Sequence, residues 1–162
     1  MLDGILEDKG YEVVTPTDVM VMDLSEKQFS AGDSIITEHL TDEWLNTYFT
    51  LEKYTNPVTC DTVRKIRQMI QVDTLYCHIT KDGQNIACAS AVIENGYVFI
   101  ANVIVDEVHR GKGYGRSLCE SLLGVAMEKG AHTAYLQVIQ SNVIAKNLYE
   151  KLGYQKLYAY WY

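Results

Sequence analysis

Arg110-Gly111-Lys112-Gly113-Tyr114-Gly115-Arg116 decides the reading of this chain, because its glycines stand between an apolar strand-like run, Val98 to Val105, and a helix-like run, Ser117 to Met127. A strand that passes to a helix through glycines exposes the unpaired N–H groups of the helix start, and the helix dipole adds a preference for negative charge there. Arg110, Lys112 and Arg116 place three of the chain's 14 Lys and Arg in this loop, although the net charge is -7. That concentration points to a bound phosphate or pyrophosphate rather than a solvated loop. Plain tight turns also use glycines. Two other phosphate loops are excluded. A dinucleotide-binding unit needs G-x-G-x-x-G early in the chain, and a Walker loop needs Lys-Ser or Lys-Thr after a glycine; neither is present.

A second segment runs from Leu136 to Tyr154 and reads as a strand, a short loop with Asn142 as helix cap, a helix, and Gly153 as its stop. With the loop it resembles the acetyl-CoA-binding core of the GNAT superfamily of N-acetyltransferases. The R-x-x-G-x-G loop of that family matches Arg110, Gly113 and Gly115. Its N-x-x-A-x-x-L-Y-x-K-x-G-[FY] helix matches Asn142, Ala145, Leu148, Tyr149, Lys151, Gly153 and Tyr154. The likeness is close over residues 74–162 and general in layout before them.

The resemblance implies an α/β (α+β) fold, a mixed and mainly antiparallel sheet with helices on both faces and a splayed pair of parallel central strands. It also implies acetyl-CoA as cosubstrate. Backbone N–H groups of Gly111, Lys112, Gly113, Tyr114, Gly115 and Arg116 would take the pyrophosphate, helped by Arg110 and the other cations. Val103, Ile104 and Val105 match the strand whose backbone pairs with the pantetheine arm and donates to the thioester oxygen. Asn142 matches the residue that bonds the pantetheine amide, and also reads as a plain N-cap. Tyr149 matches the acid that protonates the leaving thiolate, a feasible transfer between a phenol of pKa about 10 and a thiol of about 8.5; its other reading is a core tyrosine. The glutamate that many relatives carry on the fourth strand corresponds here to Phe99, which takes no proton. Glu94, His78, His109, Glu107 and water stay open as the general base. Glu107, where relatives commonly carry proline, and Tyr114, in place of an aliphatic residue, depart from the pattern without removing a backbone donor.

Ahead of these motifs, Lys81-Asp82-Gly83-Gln84 and Asn95-Gly96 punctuate three β-rich runs, Leu75 to Thr80, Ile86 to Ile93 and Tyr97 to Val105. These predict two successive hairpins leading into the loop. Leu118, Leu122, Val125 and Ala126 recur at helical spacing up to Lys129-Gly130, and Ala134 to Val138 follows as a strand parallel to Tyr97 to Val105. Upstream, Thr41 caps a helix with Trp44, Leu45, Tyr48 and Leu51 on its apolar face. Thr59 or Asp61 opens another, with Val63, Ile66 and Ile70 inward. Trp44, Tyr48, Phe49 and Tyr54 read as core or as acceptor-binding wall. Val19 to Leu24 reads as a strand, and Leu6 to Tyr11 echoes Tyr149 to Tyr154, so residues 1–24 form either the opening of a single domain over 1–162 or the relic of a preceding repeat unit.

A composition of 48% hydrophobic and 22% charged residues suits one soluble globular domain. The acidic start and the lack of a long apolar run give a cytoplasmic expectation, with no membrane and no nucleic acid as partner. Cys60, Cys77, Cys88 and Cys119 lack C-x-x-C spacing and read as free thiols, with no metal site. The aromatic tail Tyr158 to Tyr162 reads as a packed last strand or as an interface of a homodimer, packing being the expectation. Function then has three readings: an N-acetyltransferase acting on a primary amine of a small molecule, peptide or protein; a non-catalytic acyl-CoA-binding regulatory module, which Phe99 would suit; and a longer-chain or succinyl transferase.

Overall fold

The computed structural model describes residues 2–29 and 32–161, in two compact units, Met22–Leu136 and Met1–Val21 with Gln137–Tyr162. In the larger unit β2 (Ile35–Thr37), β3 (Asp73–Lys81), β4 (Gln84–Glu94), β5 (Tyr97–Val105) and the first part of β6 (Thr133–Ile139) are hydrogen-bonded in that order. β2 to β5 are antiparallel and β6 is parallel to β5. Both predicted hairpins form. Asp82-Gly83 and Asn95-Gly96 take positive φ at both turn residues, 51° and 75° in one and 51° and 81° in the other, as turns matched to strand twist require.

β3 and β4 are buried through their middles because helices cover both faces. α2 (Asp42–Leu51), capped by Thr41 Oγ1 accepting from the Trp44 N–H, lays Trp44, Leu45, Tyr48 and Phe49 on Tyr76 and Cys88. Trp44 is fully buried, and its Nε1 donates to the carbonyls of Cys77 and Ala89 at 3.1 and 2.9 Å. Successive strand residues face opposite sides, so Cys77 points the other way, toward α4 (Tyr114–Glu128) with its buried Leu118, Cys119, Leu122 and Ala126. The mixed, mainly antiparallel sheet with helices on both faces is therefore the observed class.

α3 (Pro57–Gln68) corrects two expectations. It starts at Asn56-Pro57, Asn56 Oδ1 accepting from the N–H of Val58 and Thr59, rather than at Thr59 or Asp61. Proline at the first helical position is pre-set for it, and the preceding asparagine supplies the cap. Ile66 is 60% and Ile70 38% exposed, so neither turns inward. Val63 packs on the aromatic cluster, and Arg67, one turn later on the same line of the helix, takes the inner place.

In the smaller unit the end of β6, then β1 (Thr17–Asp23), then β7 (Gln155–Tyr160) are hydrogen-bonded in that order, β1 and β7 antiparallel; β1 continues past Val21 into the larger unit. Of the aromatic tail only Tyr158 to Tyr160 lies in β7, and Tyr158 and Trp161 are exposed, so the tail pairs as a last strand without packing these two side chains away; Tyr162 lies outside the described residues. α1 (Leu2–Glu7) and α5 (Val143–Leu152) complete the elements. Asp18, fully buried on β1, accepts from Lys146 of α5 at 2.7 Å, Lys156 of β7 at 2.7 Å and Gln140 at 2.8 Å. Among the described residues no helix is long and apolar enough to cross a membrane, and no cluster of His, Cys, Asp and Glu is arranged to hold a metal ion.

Burial alone would raise the Asp18 pKa, but the hydrogen bonds from Lys146, Lys156 and Gln140 outweigh it and lower the value from 3.8 to about 2. The ionised clamp thus contributes stability that is complete above 3.8 and lost as pH falls through about 2. Thermal unfolding across this range should show that loss in the parent and not in Asp18→Asn, which itself should cost about 2 kcal/mol at neutral pH because the two lysines can turn to solvent.

Candidate functional site

After β5 the chain makes a 3₁₀ turn over Glu107–His109 and reaches α4 through the glycine loop. Gly113 is the N-cap of α4 at φ 89°, and Gly111 stands at 73°; an L side chain is strained at either position. No side chain caps this helix start. A Cβ built at Gly111 or Gly113 would meet no atom within 4 Å, so the space beside both glycines is open. The N–H groups at the head of α4 are therefore presented outward. Arg110 Nε donates to the Val105 carbonyl at 3.1 Å and Lys112 Nζ to the Val108 carbonyl at 2.9 Å, while Arg116 pairs with Glu120 at 2.8 Å. Lys81 joins them, donating to the Tyr114 hydroxyl at 3.5 Å.

The parallel ladder between β5 and β6 covers Tyr97–Phe99 against Thr133–Tyr135. Farther along β5 the register with β4 slips between Ser90↔Ala101 and Cys88↔Ile104, and Asn102 sits in the slip with φ 55°. This is a β-bulge, formed where a residue tolerant of the left-handed region meets a crowded strand. Asn102 Nδ2 donates to Ser90 Oγ at 2.7 Å, and its Oδ1 accepts from Arg67 Nη2 at 3.1 Å. The guanidinium lies over the Trp44 and Tyr48 rings, 4.9 and 4.4 Å from their centroids. Val103, Ile104 and Val105, just past the bulge, are half-buried. Sequence reasoning missed both Arg67 and the place of the bulge; an asparagine inside a run of β-branched residues was the available signal.

Phe99 pairs with Val92 and stacks on Tyr135 at 5.0 Å, an apolar contact where the family motif suggests a carboxylate. Of the candidate bases, Glu94 is exposed at the end of β4 opposite Tyr97, and Glu107 is ion-paired to Lys53 at 2.8 Å, which holds its carboxyl below the usual range. His109 Nδ1 contacts Asp106 at 3.1 Å. His78 is almost wholly buried on β3, on the same face as Tyr76, with Nε2 3.4 Å from Glu43. A cleft of about 820 Å³ between α2 and the ends of β4 and β5 is lined by Glu43, Thr47, Lys53, Asn85, Glu107 and Arg110 among others.

In the smaller unit Asn142 caps α5, its Oδ1 accepting from the Ala145 N–H at 3.1 Å, and Gly153 closes the helix at φ 107°. Tyr149 is buried on α5, its ring edge-on to Tyr154 at 6.0 Å.

Comparison with known proteins agrees with this arrangement. The family model described as Acetyltransferase (GNAT) family matches residues 35–154. An uncharacterized N-acetyltransferase, YobR, of Bacillus subtilis (strain 168) is 35% identical over 71 residues, 44% of this chain and 29% of that protein. The [ribosomal protein bS18]-alanine N-acetyltransferase of Escherichia coli (strain K12) is 32% identical over 82 residues, 51% of this chain and 55% of that one. The chain thus spans about half or less of the length of these curated relatives. Among solved structures, a GCN5-related N-acetyltransferase from Sphaerobacter thermophilus matches with a TM-score of 0.76 at 20% identity, over 99% of this chain and 54% of that one; at that identity it shows the fold alone. The E. coli ribosomal-protein-S18-alanine N-acetyltransferase matches with a TM-score of 0.62 at 25% identity, over 77% and 79% of the two chains.

The bulge yields its own test. Asn102→Ala loses two side-chain hydrogen bonds and forces alanine into the left-handed region, and should cost about 2 kcal/mol in urea unfolding. Asn102→Gly relieves the backbone part and should cost about 1 kcal/mol less than alanine.

Proposed function

The chain belongs to the Acetyltransferase (GNAT) family, and on that premise we propose that it is an N-acetyltransferase, moving the acetyl group of acetyl-CoA to a primary amine of a small molecule, peptide or protein. The observation that carries this reading is the glycine loop: an uncapped helix start, two left-handed glycines with open space beside them, and a local excess of cations. A diphosphate fits such a cradle, because it needs several convergent N–H donors and close backbone approach. Acetyl-CoA, when bound, supplies a thioester acetyl group and a thiolate leaving group.

In this proposal the N–H groups from Gly111 to Arg116 bind the diphosphate, and Arg110, Lys112 and Arg116 strengthen the field there. The backbone of Val103, Ile104 and Val105 orients the pantetheine arm, with the Val105 carbonyl already accepting from Arg110. Asn142 adds an amide contact beside its capping bond. Tyr149 holds a proton on its phenol oxygen for the departing sulfur. The acceptor must lose a proton before it attacks, and the candidates for receiving it remain Glu94, His78, His109, Glu107 and water. The relative named for alanine of ribosomal protein bS18 makes peptide amines the first acceptors to test.

Calorimetric titration of acetyl-CoA should show binding by the parent and none by Gly113→Glu, whose carboxylate would occupy the helix start in place of the anion. Tyr149→Phe should lower kcat for thiol release by about a hundredfold while changing the dissociation constant for acetyl-CoA by less than about threefold, since a general acid contributes on the order of 10²–10⁴. Tight binding without thiol release from any amine would favour the non-catalytic module.

A further inference from the structure

One cation is not used by that reaction. Arg67 Nε is buried with no hydrogen-bond partner, and among the described residues no carboxylate lies within ion-pair distance of the guanidinium. Arg64, on the preceding turn, is paired with Asp42, so the helix does not lack acids in reach. The groups that face Arg67 are neutral instead: the Trp44 ring, the ring of Tyr48 and its hydroxyl, which hydrogen-bonds to the guanidinium, the phenol of Tyr76, the amide of Asn102 and the thiol of Cys88. Burial pushes the Tyr48 and Tyr76 phenols up and the Cys88 thiol up to about 12, so none supplies a counter-charge at neutral pH. Glu52 is felt at Cys88 but makes no ion pair with Arg67.

Arg67 is half-buried with its Nε shut off from water, and a guanidinium drawn toward aromatic rings in this way recovers only part of its hydration through cation–π contact, which favours an anion beside it. Among the described residues none of the chain's acids makes an ion pair with Arg67. Arginine also presents a flat fork of donors suited to a carboxylate, and here it lies against one aromatic wall, the stacked rings of Trp44 and Tyr48. Its location is specific: Asn102, which it holds, immediately precedes Val103–Val105, the backbone assigned above to the pantetheine arm.

We infer that Arg67, with Trp44, Tyr48 and Asn102, forms a carboxylate-binding subsite beside the reacting end of the donor. This rests on the acetyltransferase reading and narrows it: one substrate carries a carboxylate, either the amine acceptor as an amino acid or the acyl group as a dicarboxylic acyl-CoA.

Trp44 and Trp161 are the two tryptophans, so a Trp161→Phe background makes Trp44 the reporter. N-acetylglycine and succinate should quench its fluorescence saturably, and N-acetylglycinamide and succinamide should not. Arg67→Met should weaken the carboxylate response about tenfold or more, the loss expected for a charged hydrogen-bonded contact. Arg67→Lys, which keeps the charge without the fork, should fall between and covers the case in which Arg67→Met fails to fold by circular dichroism. Equal responses to acids and amides, or a carboxylate response that survives in folded Arg67→Met, would overturn the inference. Turnover then separates the sources: amino acids over their amides with acetyl-CoA indicate the acceptor, and succinyl-CoA over acetyl-CoA with a neutral amine indicates the donor. Because the fluorescence titration needs neither acetyl-CoA nor turnover, an empty calorimetric trace with acetyl-CoA would sink the acetyltransferase reading without deciding this one.

Discussion

A single left-handed residue in β5 governs how the larger unit is tied together. With Asn102 at φ 55°, the β4–β5 ladder loses one step, and backbone and side-chain polar groups near the slip must bond elsewhere. The Ala89 carbonyl accepts from the Trp44 indole, which fastens α2 to the sheet; the Asn102 amide reaches Ser90 on one side and Arg67 on the other, which fastens α3. The aromatic cluster therefore does two things at once. It fills the volume between helices and sheet, and it gives the arginine a seat it could not hold by hydrogen bonding alone.

The charge of the molecule is distributed in the opposite sense to its total. In this acidic chain Arg110 and Lys112 are held near the α4 start by the carbonyls of Val105 and Val108, while Arg116 pairs with Glu120. Lys53 and Glu107, by contrast, pair in the open and are worth little. A field built from pinned cations and uncapped N–H groups costs little reorganisation when an anion arrives.

Those parts of the fold that depend on local backbone chemistry were legible in the sequence. Asp82-Gly83 and Asn95-Gly96 specify their turns because few residues tolerate the required φ, and Thr41, Asn142 and Gly153 mark helix ends by capping rules that act within a turn. What depends on distant partners was not. Apolar periodicity placed Ile66 and Ile70 inward, yet the face of α3 was decided by two aromatic rings from another helix, and Arg67 won the place. Nothing local to Asp18 announces lysines from α5 and β7 that lie more than a hundred residues away in the chain. The loop of the candidate site was readable because glycine spacing is itself the mechanism; its acceptor side was not, since side-chain identity there acquires meaning only through packing.

The cysteines add a last consequence. Cys77, Cys88 and Cys119 are buried, and burial moves their thiols up to about 11, 12 and 12 respectively. Thiolate is the form that attacks disulfides and peroxides, so at neutral pH these sulfurs are chemically silent. In the proposed reaction the enzyme would sheds a free thiol at every cycle, and mixed disulfides with that product are a standing hazard for any protein in its position. Interior placement removes three of the four from that hazard and leaves Cys60 alone partly exposed.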